Sequence, residues 1–305
     1  GEGMKLPGKV AVVEVGPRDG FQNVKAFIPT ATKLKVIAAM AAAGVRVMEA
    51  TSFVHPKAIP QMADAAEVAA AAVRISEAGG LRPIALVPNL AGAKNAWAAG
   101  IRAVTYVVSA SEKHNLANIN RTREQSLAEL AAIASELPAL KVRLAVATAF
   151  GCPFLGRVDE GLVLGLAEAG LTLGVEEVVL CDTIGVANPR QVFALVRTFR
   201  RVYPRVPVAL HLHDTRGMGL ANTLAGLEAG VATFETSVGG LGGCPFAPGA
   251  AGNTATEDMV NMLHAMDVET GVNLEKYLAA VRMVRAEIQP ELTGHMAYAC
   301  KYENL

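Results

Sequence analysis

Short runs of β-branched and other apolar residues recur along the chain, and each gives way to a longer stretch of Ala, Leu, Glu and Arg. The runs at 10–15, 45–50, 83–87, 103–108, 142–147, 177–180, 207–212 and 233–237 predict eight strands. The stretches at 32–43, 61–78, 91–99, 122–137, 159–173, 188–202, 220–229 and 255–266 predict a helix after each of them. Several of these helices meet a glycine at once, at Gly44, Gly79, Gly100, Gly174 and Gly230, where a left-handed residue closes the helix before the next strand. Eight βα units in about 250 residues is the size and rhythm of a (β/α)8 barrel. The expected fold is therefore α/β, a TIM barrel over about 9–266. An amphipathic stretch at 273–288 predicts an additional C-terminal helix in an extension of about 267–305. No low-complexity linker interrupts the chain, so residues 1–305 are expected to form a single domain.

Charge narrows the class of partner. Lys plus Arg and Asp plus Glu number 28 each, with no block of one sign. That argues against nucleic acid and anionic membrane surfaces and for a small molecule. Hydrophobic residues make up 52% of the chain, but the Ala-rich stretches are broken by charges, so no transmembrane helix is expected. The first seven residues hold neither an apolar signal core nor an Arg-rich amphipathic stretch, and residues 1–3 before Met4 read as an appended stub; a cytoplasmic protein is expected. Cys152, Cys181, Cys244 and Cys300 are widely spaced without CxxC pairing, which suggests neither a zinc knuckle nor a disulfide framework.

The barrel changes the meaning of the polar residues, because active sites of this fold gather at the carboxyl ends of the strands. Arg18 and Asp19 fall after the first strand, Glu49 at the second, Ser109 and Ser111 at the fourth, Asp182 at the sixth and His211 and His213 at the seventh. The Gly-rich stretch 238–249 after the eighth carries Cys244, with Asn253 beyond it. On a strand, residues i and i+2 face the same side, so both imidazoles of His211-Leu212-His213 can converge on one ion. With the Asp19 carboxylate and the Asn253 carbonyl they make a mixed N/O set that suits Mg²⁺ or Mn²⁺. The alternatives are hydrogen-bonded barrel lining for the histidines and a plain Asp-Gly turn for Asp19.

Arg18 stays charged and offers forked donors, suited to a carboxylate or a developing enolate, or else to a salt bridge at the rim. Glu49 and Asp182 can orient Arg18 or the ligands from behind. A glycine-dense loop allows close approach to a ligand and large rearrangement, and a thiol at its tip is a candidate acid or base delivered on closure. Cys152 stands in a similar Gly-Cys-Pro-Phe, which shows that this tetrapeptide can also serve purely as a turn.

Five segments taken together resemble the 3-hydroxy-3-methylglutaryl-CoA lyase family: 14–23 with Gly-Pro-Arg-Asp-Gly, 49–54, 181–185, 211–215, and 239–253 with Gly-Leu-Gly-Gly-Cys-Pro. The resemblance runs in the same order from about residue 10 to 266. It implies a metal-dependent TIM-barrel carbon–carbon lyase that cleaves a 3-hydroxyacyl-CoA, in the first instance 3-hydroxy-3-methylglutaryl-CoA, to acetyl-CoA and acetoacetate, as in leucine catabolism. By matching position it implies Asp19, His211, His213 and Asn253 as ligands of Mg²⁺ or Mn²⁺. Arg18 and the mobile-loop thiol Cys244 would be catalytic, with Asp19, His211, Glu49 and Asp182 as active-site groups and Asp19 or His211 as the base. Arg18, Gln22, Lys25 and Ser111 would meet substrate or CoA, and a homodimer or higher homo-oligomer is compatible with the family. Three features depart from its pattern: Phe21 in place of Leu, the segment 109–115, and Arg216-Gly217-Met218 in place of Tyr-Gly-Gln. These bear on the acyl group, so a related substrate such as citramalyl-CoA stays open. A synthase condensing acetyl-CoA with a 2-oxo acid would share His-x-His but usually carries Asp-Gly-Glu-Gln and a long C-terminal extension, whereas here Asp19-Gly20 leads into Phe21-Gln22 and the chain stops at Leu305. A non-catalytic scaffold barrel would have no need of these residues at one mouth.

Overall fold

In a computed structural model, which describes residues 3–243 and 252–301, strands and helices alternate as the periodicity predicts. The first half runs β1 (Ala11–Glu14), α1 (Thr30–Ala42), β2 (Val47–Ser52), α2 (Ala65–Ala78), β3 (Arg82–Leu86), α3 (Leu90–Ala98), β4 (Ala103–Ser109), α4 (Glu112–Ile119) and α5 (Arg123–Glu136). It continues with β5 (Lys141–Ala147), α6 (Glu160–Thr172), β6 (Glu177–Cys181), α7 (Pro189–Val202), β7 (Val208–His211), α8 (Gly219–Glu228), β8 (Thr233–Thr236), α9 (Thr256–Ala265) and α10 (Leu274–Glu287). Each strand pairs in parallel with the next and β8 pairs with β1, which closes the barrel.

The helices form where apolar residues recur at helical spacing. On α7, Val192, Leu195, Val196 and Phe199 are buried at i, i+3, i+4 and i+7, while Arg190, Arg197, Arg200 and Arg201 stay outside the core. Burying each such side chain contributes roughly 1.5–3 kcal/mol, which is what fastens the helix to the sheet. Asn188 caps the amino end by accepting from Gln191 N at 3.0 Å. The glycines after the helices do take positive φ, 106° at Gly44 and 95° at Gly100.

Two local features differ from the periodic reading. Helix α4 sits in the 109–122 connection, started by Ser111, whose Oγ accepts from His114 N, and stopped by left-handed Asn120. With only eight residues and mixed polarity it carries little periodic signal. The predicted helix 61–78 begins instead as a 3₁₀ turn at Pro60–Met62, and α2 starts only at Ala65.

The main core lies between sheet and helices, and a second small one, Ala145, Val179, Cys181 and Ala209, lies inside the barrel. Small side chains there leave the mouth above them open. The predicted C-terminal helix is α10, and it is tied to the barrel end. Tyr277, Ala280, Val281 and Val284 are buried, and the Tyr277 hydroxyl donates to the buried Glu14 carboxylate at the end of β1. The same carboxylate accepts from Gly16 N and Val238 N, both at 2.9 Å, so one acid joins the turns after β1 and β8.

Candidate active site

Immediately after β1 the backbone makes a single π-helical turn, Gly16–Gly20, that presents Arg18 and Asp19 at the carboxyl end of the barrel. Such turns are rare and frequently occupy functional sites. Glycine is required at both ends of it. A Cβ at Gly16 would lie 2.8 Å from Val238 Cγ1, and one at Gly20 would lie 2.9 Å from Leu241 Cβ, so side chains there would push the β1 and β8 turns apart.

Asp19 faces two imidazoles. One donor atom each from Asp19, His211 and His213 falls within 4.8 Å of the others, a set that could hold a metal ion. His211 Nε2 lies 3.1 Å from His213 Nε2 and 3.5 Å from Asp19 Oδ2. His211 ends β7, and His213 forms an isolated antiparallel bridge with Asn253, which brings the residue beyond the glycine-rich stretch back to the same place. Asn253 Nδ2 donates to Asp19 Oδ2 at 2.8 Å and to Leu241 O at 3.0 Å. Its Oδ1 is buried with no hydrogen-bond partner among the described residues. A buried carbonyl oxygen without a donor is costly, and a cation would satisfy it.

Electrostatics favour a cation as well. Burial alone would raise the Asp19 carboxyl, but Arg18, His211 and His213, with the Asn253 hydrogen bond, hold it below the usual range. Burial and the neighbouring His211 push His213 down to about 4, so it offers a lone pair. Burial opposes protonation of His211, yet the hydrogen bond and charge of Glu235, with Asp19, raise it above the ordinary histidine value. The two Nε2 atoms face each other at 3.1 Å, so a divalent ion could take a lone pair from each.

Arg18 Nε donates to Glu49 Oε1, and its Nη1 lies 3.3 Å from Asp19 Oδ1. Glu49, fully buried in β2, thus orients the guanidinium from behind. Above these groups opens a cavity of about 480 Å³, lined among others by Arg18, Asp19, Gln22, His114, His211 and His213.

The other residues singled out from the sequence are placed differently. Asp182 follows β6 and turns its carboxylate to the backbone, accepting from Val186 N at 2.9 Å and Ala187 N at 3.2 Å; burial pushes its pKa up to about 6. Ser111 is buried at the start of α4, with its Oγ accepting from His114 N and from Cys152 Sγ at 3.0 Å. Lys25 is exposed and is not part of the cavity wall. Cys152 lies in a tight turn closed by its bridge to Gly156. Cys244 lies outside the described residues.

Two participants escaped the sequence reading. Glu235 on β8 accepts from His211 Nδ1 at 2.8 Å, which sets which imidazole nitrogen faces Asp19. Its signal was an acid at an inward position of the run 233–237, where an apolar residue is usual. His114, which stood out only inside a segment departing from the family pattern, lines the cavity wall across from the histidine pair. Thr148 donates to Ala147 O and accepts from Ser109, so Ser109 Oγ is left to accept from His114 Nδ1 at 3.0 Å.

The chain as a whole is similar to known proteins. The HMGL-like family profile matches residues 9–284. Hydroxymethylglutaryl-CoA lyase YngG of Bacillus subtilis is 43% identical over 287 residues, covering 93% of this chain and 95% of that protein. The (R)-citramalyl-CoA lyase of Chloroflexus aurantiacus is 41% identical over 297 residues, covering 93% of this chain and 94% of its own. The solved structure of an HMG-CoA lyase from Acinetobacter baumannii in complex with coenzyme A and 3-methylmalate superimposes with a TM-score of 0.91 at 39% identity, covering 97% of each chain.

Proposed function

Because the chain belongs to the HMGL-like family and is a carbon–carbon lyase, we propose that it cleaves 3-hydroxy-3-methylglutaryl-CoA to acetyl-CoA and acetoacetate. The observation that carries this reading is the meeting of Arg18, Asp19, His211, His213 and Asn253 at one barrel mouth. Asp19, His211, His213 and the unsatisfied Asn253 Oδ1 would hold Mg²⁺ or Mn²⁺. A divalent ion there supplies Lewis acidity, lowering the pKa of the substrate hydroxyl and fixing its direction.

The remaining work falls to side chains. A base takes the proton of the 3-hydroxyl: Asp19 keeps a carboxylate oxygen for it, whereas His211, with Nε2 given to the ion and Nδ1 donating to Glu235, would have no lone pair left. The bond between C2 and C3 then breaks, the hydroxyl oxygen becomes the ketone of acetoacetate, and the bonding pair passes to C2 as the acetyl-CoA enolate. Arg18, held by Glu49, offers its guanidinium to the developing negative oxygen. Cys244 returns a proton to C2, completing acetyl-CoA.

A second substrate reading rests on the Chloroflexus citramalyl-CoA lyase, nearly as similar as the hydroxymethylglutaryl-CoA lyases. A panel of both thioesters with Mg²⁺ and Mn²⁺, products identified by mass, separates the two. Acetoacetate formed from the glutaryl ester at the higher kcat/KM supports the first reading. Pyruvate formed preferentially from the citramalyl ester replaces it.

A further inference from the structure

Inward positions of eight-stranded parallel barrels are mostly filled by Val, Ile and Leu. This barrel instead places Arg143 of β5 and Glu235 of β8 beneath the mouth, 2% and 3% exposed. The guanidinium is fixed on all sides. Nε and Nη2 each donate to one oxygen of Glu177 on β6 at 3.2 Å, and Nη1 donates to Glu235 Oε2 at 2.8 Å and to Thr105 Oγ1 on β4 at 3.2 Å. Burying such charges generally removes as much hydration energy as the pairing returns, and apolar residues of similar volume often serve stability as well or better. Stability alone is therefore a poor reason for this network.

Its geometry offers a better one. Glu235 divides its two oxygens, Oε2 to Arg143 and Oε1 to His211 Nδ1, both at 2.8 Å. We propose that Arg143 is a positioning residue that acts through Glu235 to hold the His211 imidazole with Nε2 facing Asp19 and His213. Without the guanidinium, His211 is the one side-chain tether left to the Glu235 carboxylate among the described residues, and the carboxylate can turn with it. Lysine would not replace arginine here, because a single ammonium cannot grip Glu177 with two donors while directing a third at Glu235. This inference rests on reading His211 as a metal ligand.

The test needs no substrate. In wild-type protein labelled with ¹⁵N-histidine, the Nδ1–H of His211 should give an exchange-protected downfield resonance, both metal-free and with Mg²⁺. Arg143→Met keeps much of the side chain's length, and its folding is checked by circular dichroism. In the folded variant that resonance should broaden or vanish, and the Mn²⁺ dissociation constant, read by electron paramagnetic resonance, should rise ~10–100-fold. Arg143→Lys should recover only part of both. Unchanged resonance and Mn²⁺ affinity in folded Arg143→Met overturn the proposal. Should Arg143→Met not fold, Glu177→Gln, which loosens the guanidinium from the β6 side, is judged by the same two readouts, and no change in either overturns it equally. Wild-type protein that binds no Mn²⁺ refutes the metal reading instead, and the resonance comparison then decides by itself whether Arg143 sets His211.

Discussion

Asn253 meets Asp19 through its amide nitrogen, which donates to Asp19 Oδ2 at 2.8 Å, while the Asn253 carbonyl oxygen is buried beside the histidine pair without a donor among the described residues. That orientation makes Asn253 both a clamp on the Asp19 carboxylate and a ligand candidate itself. Asn253→Ala should lower Mn²⁺ affinity by at least ~10-fold and turnover with it, because the carbonyl is lost and the Asp19 carboxylate is freed. Titration of metal-stripped protein with Mn²⁺ reads the affinity directly. The same stripped protein should be inactive and recover with Mg²⁺ or Mn²⁺; full turnover after stripping would remove the metal from the mechanism.

Arg18 is held by Glu49 and faces the cavity. Arg18→Gln removes a preorganised charge at the developing enolate, so kcat should fall ~10²–10³-fold while Mn²⁺ affinity changes much less. A loss confined to KM would make Arg18 a binding residue only.

Cys244 and Cys152 provide a paired comparison. Cys152 is buried, its Sγ hydrogen-bonded to Ser111 Oγ and accepting from Phe154 N at 3.3 Å. Cys244→Ser should cut turnover strongly with metal binding intact, because a hydroxyl is far less acidic than a thiol. Cys152→Ser should retain most activity. Equal damage from both would withdraw the proton-transfer role of Cys244.

Glu257, at the start of α9, accepts from Gly239 N at 2.9 Å and so roots the turn from which the glycine-rich loop departs. Burial pushes its pKa up to about 8 from an ordinary 4.5. Between those values the folded protein holds a proton that the unfolded chain lacks, so this group makes stability fall as pH rises through that window. Glu257→Gln mimics the protonated acid. Its Tm should therefore lose less between pH 5 and 8 than the wild type's, a difference expected at several degrees. Identical slopes would place the pH dependence elsewhere.

Much of this molecule was legible along the chain because its signals are local. Each strand run and helix stripe is read over a window of about ten residues, and a stop such as Gly44 or Gly100 needs only its own backbone angle. His211 and His213 declared themselves in the same way, since alternation on a strand puts i and i+2 on one side. Knowing the barrel then sent Arg18, Asp19, Glu49 and Asn253 to the same end of it. What a carboxylate or hydroxyl does on arrival depends on neighbours distant in sequence. Asp182 and Ser111 lie near the mouth but spend their oxygens on nearby backbone N–H groups, while Glu235, an inward acid in a short strand run, reaches His211 from the next strand and Arg143 from across the barrel. Pairing of β7 with β8 sets Glu235 beside His211, and the curl of the sheet into a barrel brings Arg143 of β5 across to it. The elements and the histidine pair were thus determined by short-range pattern, whereas the partners that fix Arg18 and His211 were decided by tertiary structure, because a hydrogen bond depends on distance in space, which sequence separation does not specify.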